Sequence, residues 1–302
     1  MTTTALSALI DPLSRFSNVL LVLGAVGVGV LVPQLSPYFD PLITPLVVFL
    51  VFTSLRGVRF AAIDYSSYAA VVVLSLCLSY AVLPLAGMRL VELAVADASA
   101  LGFAIALSVP TTAGSAIVWT RLARGDVQLA TLSSIASLLL APVATPLVLT
   151  RLVGSQVTVP TASILADLAV IVGGGVLLAA VVPTDALSAE AVERGSTLAI
   201  LLLIYTAVAG AGVVGVDTDA LLAVAGVSTL LFGVGAALTA GCQRAFGIER
   251  DRAFSLFFTT NLKNLGVALL VSLPFADPLV TVSIIVYYVV QQTGGAVLAD
   301  AT

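Results

Sequence analysis

Ten apolar runs follow one another along this chain, separated only by short stretches of charge, proline and glycine. They fall at about residues 16–33, 41–55, 66–87, 98–120, 126–150, 161–183, 196–214, 220–242, 253–272 and 278–299. Most are close to the roughly 20 residues that an α-helix needs to cross a lipid bilayer. Only 9% of the 302 residues are charged, against roughly 25% in a soluble domain. That is too little charge to cover a water-facing surface, which excludes a soluble enzyme. No segment between runs exceeds about fifteen residues, so a separate soluble domain has no place. The expected fold class is an all-α polytopic membrane protein with ten transmembrane helices.

The basic residues orient it. With ten crossings, one side receives both termini and Arg15, Arg56, Arg59, Arg121, Arg124, Arg194, Arg244, Arg250 and Arg252. The other side receives only Arg89 and Arg151, in loops that also hold Glu92 and Asp97. Arginine and lysine accumulate on the cytoplasmic side of a membrane. Both termini are therefore expected in the cytoplasm, in a multi-pass protein of the cell membrane. The one remaining basic residue, Lys263, falls inside an apolar run, in FFTTNLKNLGVALLV. Histidine is absent, which removes imidazole from any proton or metal chemistry. Cys77 and Cys242 read as small buried hydrophobes. No cofactor, metal site, nucleic-acid partner or enzymatic activity is expected.

Ten runs divide into five and five: a first repeat over 1–155 and a second over 156–302. An odd number of crossings per repeat turns the second upside down relative to the first, the inverted-repeat plan of many secondary transporters. Such repeats carry interrupted helices at matching positions. The fourth run of the first half contains SVPTTAGS (Ser108–Ser115), and the fourth of the second contains TTNLKNLG (Thr259–Gly266). These are the two most polar stretches inside the runs. Unwound backbone at membrane depth is tolerated only where it faces protein or water. Two facing breaks would present free backbone groups and half-helix ends to an ion and a polar substrate. The alternative is a simple kink at Pro110, with hydroxyls bonded back to their own helix.

Three stretches resemble the bile acid:sodium symporter family, and with the ten-run plan they cover most of the chain. The first runs from Pro110 through Pro142 and contains LARGD (Leu122–Asp126), a Ser/Thr-rich run and the pair Pro142 and Pro146. The second is Arg252 to Gly266. The third, YVVQQTGGAVLA, is Tyr288 to Ala299. The resemblance implies a core domain of spans 3–5 and 8–10 and a panel domain of spans 1, 2, 6 and 7. Helices 4 and 9 would cross at their breaks, an organic anion would bind between core and panel, and sodium would sit behind the crossing.

The chain departs from that family at the sodium ligands. The family's Glu-x-x-x-Gln-Asn motif, laid on Asn264, puts Lys263 at the Gln position and Thr259 at the Glu position. The helix 4 Ser-Asn pair falls at Ala116-Ile117, or at Ser115-Ala116. The helix 5 hydroxyls fall at Ala130 and Ser134, and the helix 3 Gln falls at Ser79, five residues before Pro84. The site loses its carboxylate and gains an ammonium, which repels Na⁺ at short range. A buried ammonium itself needs oxygen partners. Thr259, Ser79, Ser134 and the carbonyls of the breaks are the candidates. The expected function is secondary active transport of a small organic anion by alternating access, uncoupled from Na⁺ at this position. Uniport, exchange or coupling to H⁺ are the modes that follow; the nearest intramembrane carboxylate in sequence is Asp167. The alternatives are direct pairing of Lys263 with substrate, a snorkelling lysine, a still Na⁺-coupled symporter, and a non-transporting membrane sensor. Thr111 and Thr112 replace two family glycines. They are expected substrate contacts, with Asn264, Gln291 and Gln292. The two Gln fall on a family His-Asn pair and either line the cavity or bridge neighbouring helices.

Overall fold

The computed structural model describes residues 17–56, 65–154, 157–211, 216–275 and 277–301. Arg15, Arg59 and the boundary at 155/156 between the two expected repeats lie outside the described residues. Among those residues the fold is all-helical, without a strand. In chain order the helices are α1 (Ser17–Leu31), α2 (Ile43–Leu55), α3 (Tyr65–Cys77), α4 (Leu83–Ala94), α5 (Asp97–Ser108), α6 (Ala113–Leu122) and α7 (Val127–Val153). There follow α8 (Thr161–Val181), α9 (Ala189–Ala211), α10 (Thr218–Phe246), α11 (Arg250–Asn261), α12 (Leu265–Ser272) and α13 (Pro278–Asp300). Short helical turns over 33–42 lead into α2, and a π-turn over Leu78–Val82 joins α3 to α4.

Every apolar run expected from sequence coincides with a helix or a broken pair. Among the described residues, seven helical stretches are long and apolar enough to cross a membrane: Pro33–Leu55, Ser66–Ala94, Val127–Val153, Thr161–Val181, Ala189–Gly210, Thr218–Phe246 and Pro278–Ala299. The interrupted runs fall short of that length because the interruption divides them, α5 with α6 and α11 with α12. The outside of the bundle is apolar as well. Leu93, Leu31 and Val181 are 86%, 78% and 69% exposed. A surface of that kind belongs in lipid, where the apolar side chain has nothing to gain by turning inward.

The helix ends follow from local chemistry. Asp126 caps α7 by accepting from Leu129 N–H, and Asp277 caps α13 by accepting from Leu279 N–H. Gly247, in the left-handed region at φ 63°, ends α10. The packing falls into two groups. The first is α1, α2, α8 and α9, where α2 lies on α8 and α9 lies on both α1 and α2. In the second, α5 lies on α13, α10 on α13 and α11, and α7 on α3, α5, α6 and α11. Gly102 lets α5 lie directly on α13: a Cβ there would be 2.6 Å from the Val280 carbonyl.

Among the small residues, Gly29, Gly174 and Gly175 touch neighbouring helices, whereas Gly24, Gly27 and Gly173 face open space. Cys77 is exposed and Cys242 half-buried, both as free thiols, rather than buried. On an apolar outer surface a thiol is solvated as well by lipid as by protein, so nothing drives it inward.

Candidate functional site

The two interruptions meet. Pro110 has no N–H and ends α5, holding Val109 extended at φ −80°, ψ 160°. The second interruption has no proline. There Leu262 is extended at φ −87°, ψ 110°, and Asn264 starts α12 by accepting from Val267 N–H at 3.1 Å. Thr111 and Lys263 lie opposite each other in an antiparallel bridge. Thr112 N–H donates to the Leu262 carbonyl at 3.0 Å, and Asn264 N–H donates to the Pro110 carbonyl at 2.9 Å. Each break thereby satisfies backbone groups the other has freed, which apolar surroundings demand. The alternative of a simple kink at Pro110, with its hydroxyls bonded back to one helix, does not describe this arrangement.

Lys263 is 3% exposed. Its ammonium donates to the carbonyl and the hydroxyl of Ser79, both at 2.7 Å, and to the Val109 carbonyl at 3.4 Å. The Tyr80 ring lies 5.5 Å from Nζ, a cation–π distance. The availability of the Ser79 carbonyl follows from sequence. In the π-turn Leu83 N–H bonds Leu78, five residues back. The next N–H that could reach Ser79 in this register would come from Pro84, which has none. Val109 closes α5, so the ammonium also sits at the negative end of that helix.

The surrounding hydrogen bonds bind the breaks to three helices. Lys263 N–H turns to Gln291 Oε1 of α13 at 3.0 Å. The Thr259 carbonyl is thereby left without its helical donor, and the Thr111 hydroxyl donates to it at 2.5 Å. Thr111 N–H donates to Ser137 Oγ of α7 at 3.0 Å, and Tyr80 donates to the Ser137 carbonyl at 2.8 Å. The Thr259 hydroxyl shares a hydrogen bond with Ser75 at 2.9 Å rather than reaching the ammonium. Ser134 is fully buried without a hydrogen-bond partner for its hydroxyl. Gln292 lies apart from Lys263. It accepts from Trp119 Nε1 at 2.9 Å and donates to Ser115 Oγ at 3.0 Å, bridging α13 to α6. Trp119 is thus a partner of this bridge. Asn264 and Thr112 are half-buried, and Thr111, Gln291 and Gln292 are buried. Gly235 of α10 leaves the space that the Asn261 side chain fills.

The structure therefore brings Lys263, Ser79, Thr111, Thr259 and Gln291 into one network and places Ser115 with Gln292 beside it. Tyr80, Ser75 and Ser137 belong to the network but were not singled out from sequence. Each is one hydroxyl among several along its segment, and only the fold shows which of them points here. The LARGD turn supports the arrangement from one end. Asp126 N–H donates to the Asp251 carbonyl at 3.1 Å, and Ser255 Oγ donates to the Asp126 carbonyl at 2.7 Å. Arg252 stands 3.9 Å from the Asp126 carboxylate and over the Tyr68 ring. Arg121 and Arg124 take no part in the network around Lys263. Among the described residues no three His, Cys, Asp or Glu side chains come together as a metal site. Asp167 contacts Ser163 within α8, away from Lys263.

Comparison with proteins of curated function finds no match. The SBF-like CPA transporter family, which is bile acid:sodium symporter-like, matches residues 18–302, nearly the whole chain. Apolar helices enclosing a paired break, together with that match, make this a membrane transporter protein, and the chain belongs to the SBF-like CPA transporter family.

Proposed function

We propose that the chain is a secondary active transporter that carries a small organic anion by alternating access, with the Lys263 ammonium in place of a sodium ion at the crossover. The observation that carries the reading is the ammonium's setting: two carbonyls, one hydroxyl and an aromatic face around one buried cation. Carbonyl and hydroxyl oxygens are the ligands a hard cation takes from a protein. No carboxylate is among them, so a second cation at the same point would be repelled.

The same reading includes ten crossings in two inverted repeats, with the breaks in the fourth crossing of each. It takes α1, α2, α8 and α9 as the panel and the remaining helices as the core. The packing supports this, since those four helices contact one another and meet the rest chiefly at α7, α12 and α13. The substrate is assigned to that junction. A Cβ on Gly266 would lie 3.3 Å from both Leu50 of α2 and Leu203 of α9, so the start of α12 touches the panel directly. Half-buried Asn264 stands two residues earlier. Asn264 and Thr112 are the proposed substrate contacts, with Thr111, Gln291 and Gln292 behind them. Both termini are placed in the cytoplasm and the protein in the cell membrane.

Proteoliposomes test this. Uptake of a labelled organic anion is expected to proceed equally with and without a Na⁺ gradient, and Lys263→Gln is expected to lower its rate. A strict Na⁺ requirement in the wild type sinks the assignment. A pH gradient that drives uptake identifies H⁺ as the coupling ion. Counterflow without any gradient distinguishes a carrier, which exchanges, from a sensor, which only binds.

A further inference from the structure

A cavity of about 650 Å³ lies away from the crossover, among the last turns of α4 and α7 and the first turn of α5. None of the crossover residues lines it. Its charged lining residues are Arg89, Glu92, Asp97 and Arg151; the rest are apolar apart from Gly154. Arg89 and Arg151 are the two arginines that the charge count sets apart from the other nine. They come from different helices, yet they converge on one cavity.

The pairing within the cavity is incomplete. Arg89 stands 3.8 Å from Glu92, with both side chains well exposed. Such a pair holds little energy and is readily exchanged for a better partner. Arg151 and Asp97 form no ion pair with each other or with any other described residue. Two opposite charges held apart at one cavity are complementary to a ligand that carries both charges. The helix ends suggest the level, if these helices span the bilayer as proposed. The long helical stretches Ser66–Ala94 and Val127–Val153 end here, where headgroups meet water. Leu85, 59% exposed on the bundle's outer surface, forms part of the wall, so an apolar tail can leave toward lipid.

We infer that this cavity binds a phosphate–ammonium zwitterion, with the phosphate between Arg89 and Arg151 and the ammonium at Asp97 and Glu92. Guanidinium forks suit phosphate oxygens, and a primary ammonium donates to carboxylates. An ethanolamine phospholipid from the surrounding leaflet supplies this chemistry. The same headgroup free in solution is the other source.

Native mass spectrometry of the full chain, released from nanodiscs of equal ethanolamine and glycerol phospholipid with matched acyl chains, tests it. The wild type should retain the ethanolamine lipid about fivefold over the glycerol lipid. Arg151→Gln should lower that retention by about the same factor. Asp97→Asn should abolish the preference while leaving glycerol lipid bound. If Arg151→Gln fails to fold, Arg89→Gln, at an 85% exposed side chain, gives the same comparison. Competition by millimolar phosphoethanolamine would support the site and assign its ligand to solution; retention unaffected by it assigns the ligand to the leaflet. Equal retention of the two lipids by the wild type, or retention unchanged in both arginine variants, overturns the inference.

Discussion

At the first break, Pro110 ends α5 because the ring has no N–H to give; at the second, α11 stops after Asn261 with no proline at all. The first interruption is written into covalent structure and would persist without a partner. The second depends on what surrounds it: Gln291 takes the Lys263 N–H, Ser79 and Val109 take the ammonium, and Asn264 caps the helix that follows. The two breaks share a bridge but not a cause. The side of the crossover that holds the charge is the side whose shape is conditional, and a transport cycle that rearranges the crossover would act through it.

That contrast can be broken most directly at Lys263. Lys263→Ala should cost about 2–5 kcal/mol of stability, because it leaves a cavity where the long side chain lay and leaves the Ser79 and Val109 oxygens without their donor. Thermal and denaturant unfolding in detergent measure it, and Lys263→Gln should recover part of the loss. A Lys263→Ala variant as stable as the wild type would show that the second break holds itself. Next in size is Thr111→Val, at about 1–3 kcal/mol, since the Thr259 carbonyl loses its donor. Asn264→Ala should cost about 1 kcal/mol through the lost cap, with Asn264→Ser restoring most of it. The smallest effect is expected at Pro110→Ala, about 0.5–1 kcal/mol and mainly through the freer unfolded chain. If Pro110→Ala proved costlier than Lys263→Ala, the roles assigned to the two breaks would be reversed.

The helices were legible because apolar runs of membrane length have few alternatives. Both interruptions were legible too: proline, threonine, asparagine and lysine inside such runs cannot continue an ordinary lipid-facing helix. Ser79 was reached through the family resemblance, which sets a helix 3 Gln five residues before a proline; that its carbonyl is left free emerges only with the π-turn. Tyr80, Ser75 and Ser137 were not, because a hydroxyl in a helix is ordinarily satisfied by its own backbone. Thr259 and Ser134 show the opposite difficulty. Both sit at expected positions by alignment of motifs, yet Thr259 turns to Ser75 and Ser134 meets no partner. Motif position fixes the turn of helix a residue occupies; the rotamer, and hence the partner, depends on neighbours from distant sequence.

A cation attached to the chain differs from one drawn from solution. A dissolved ion fills its site according to its concentration, and its binding adds to stability by mass action. The Lys263 ammonium is presented to its oxygens by its own backbone, at an effective concentration fixed by the length of one side chain. Occupancy of that site is then a property of the conformation alone. On the proposed reading, the electrochemical work that an ion-coupled carrier draws from a falling gradient has no entry at this point. The cycle would then be driven by the substrate's own concentration difference, by a proton or by an ion bound elsewhere.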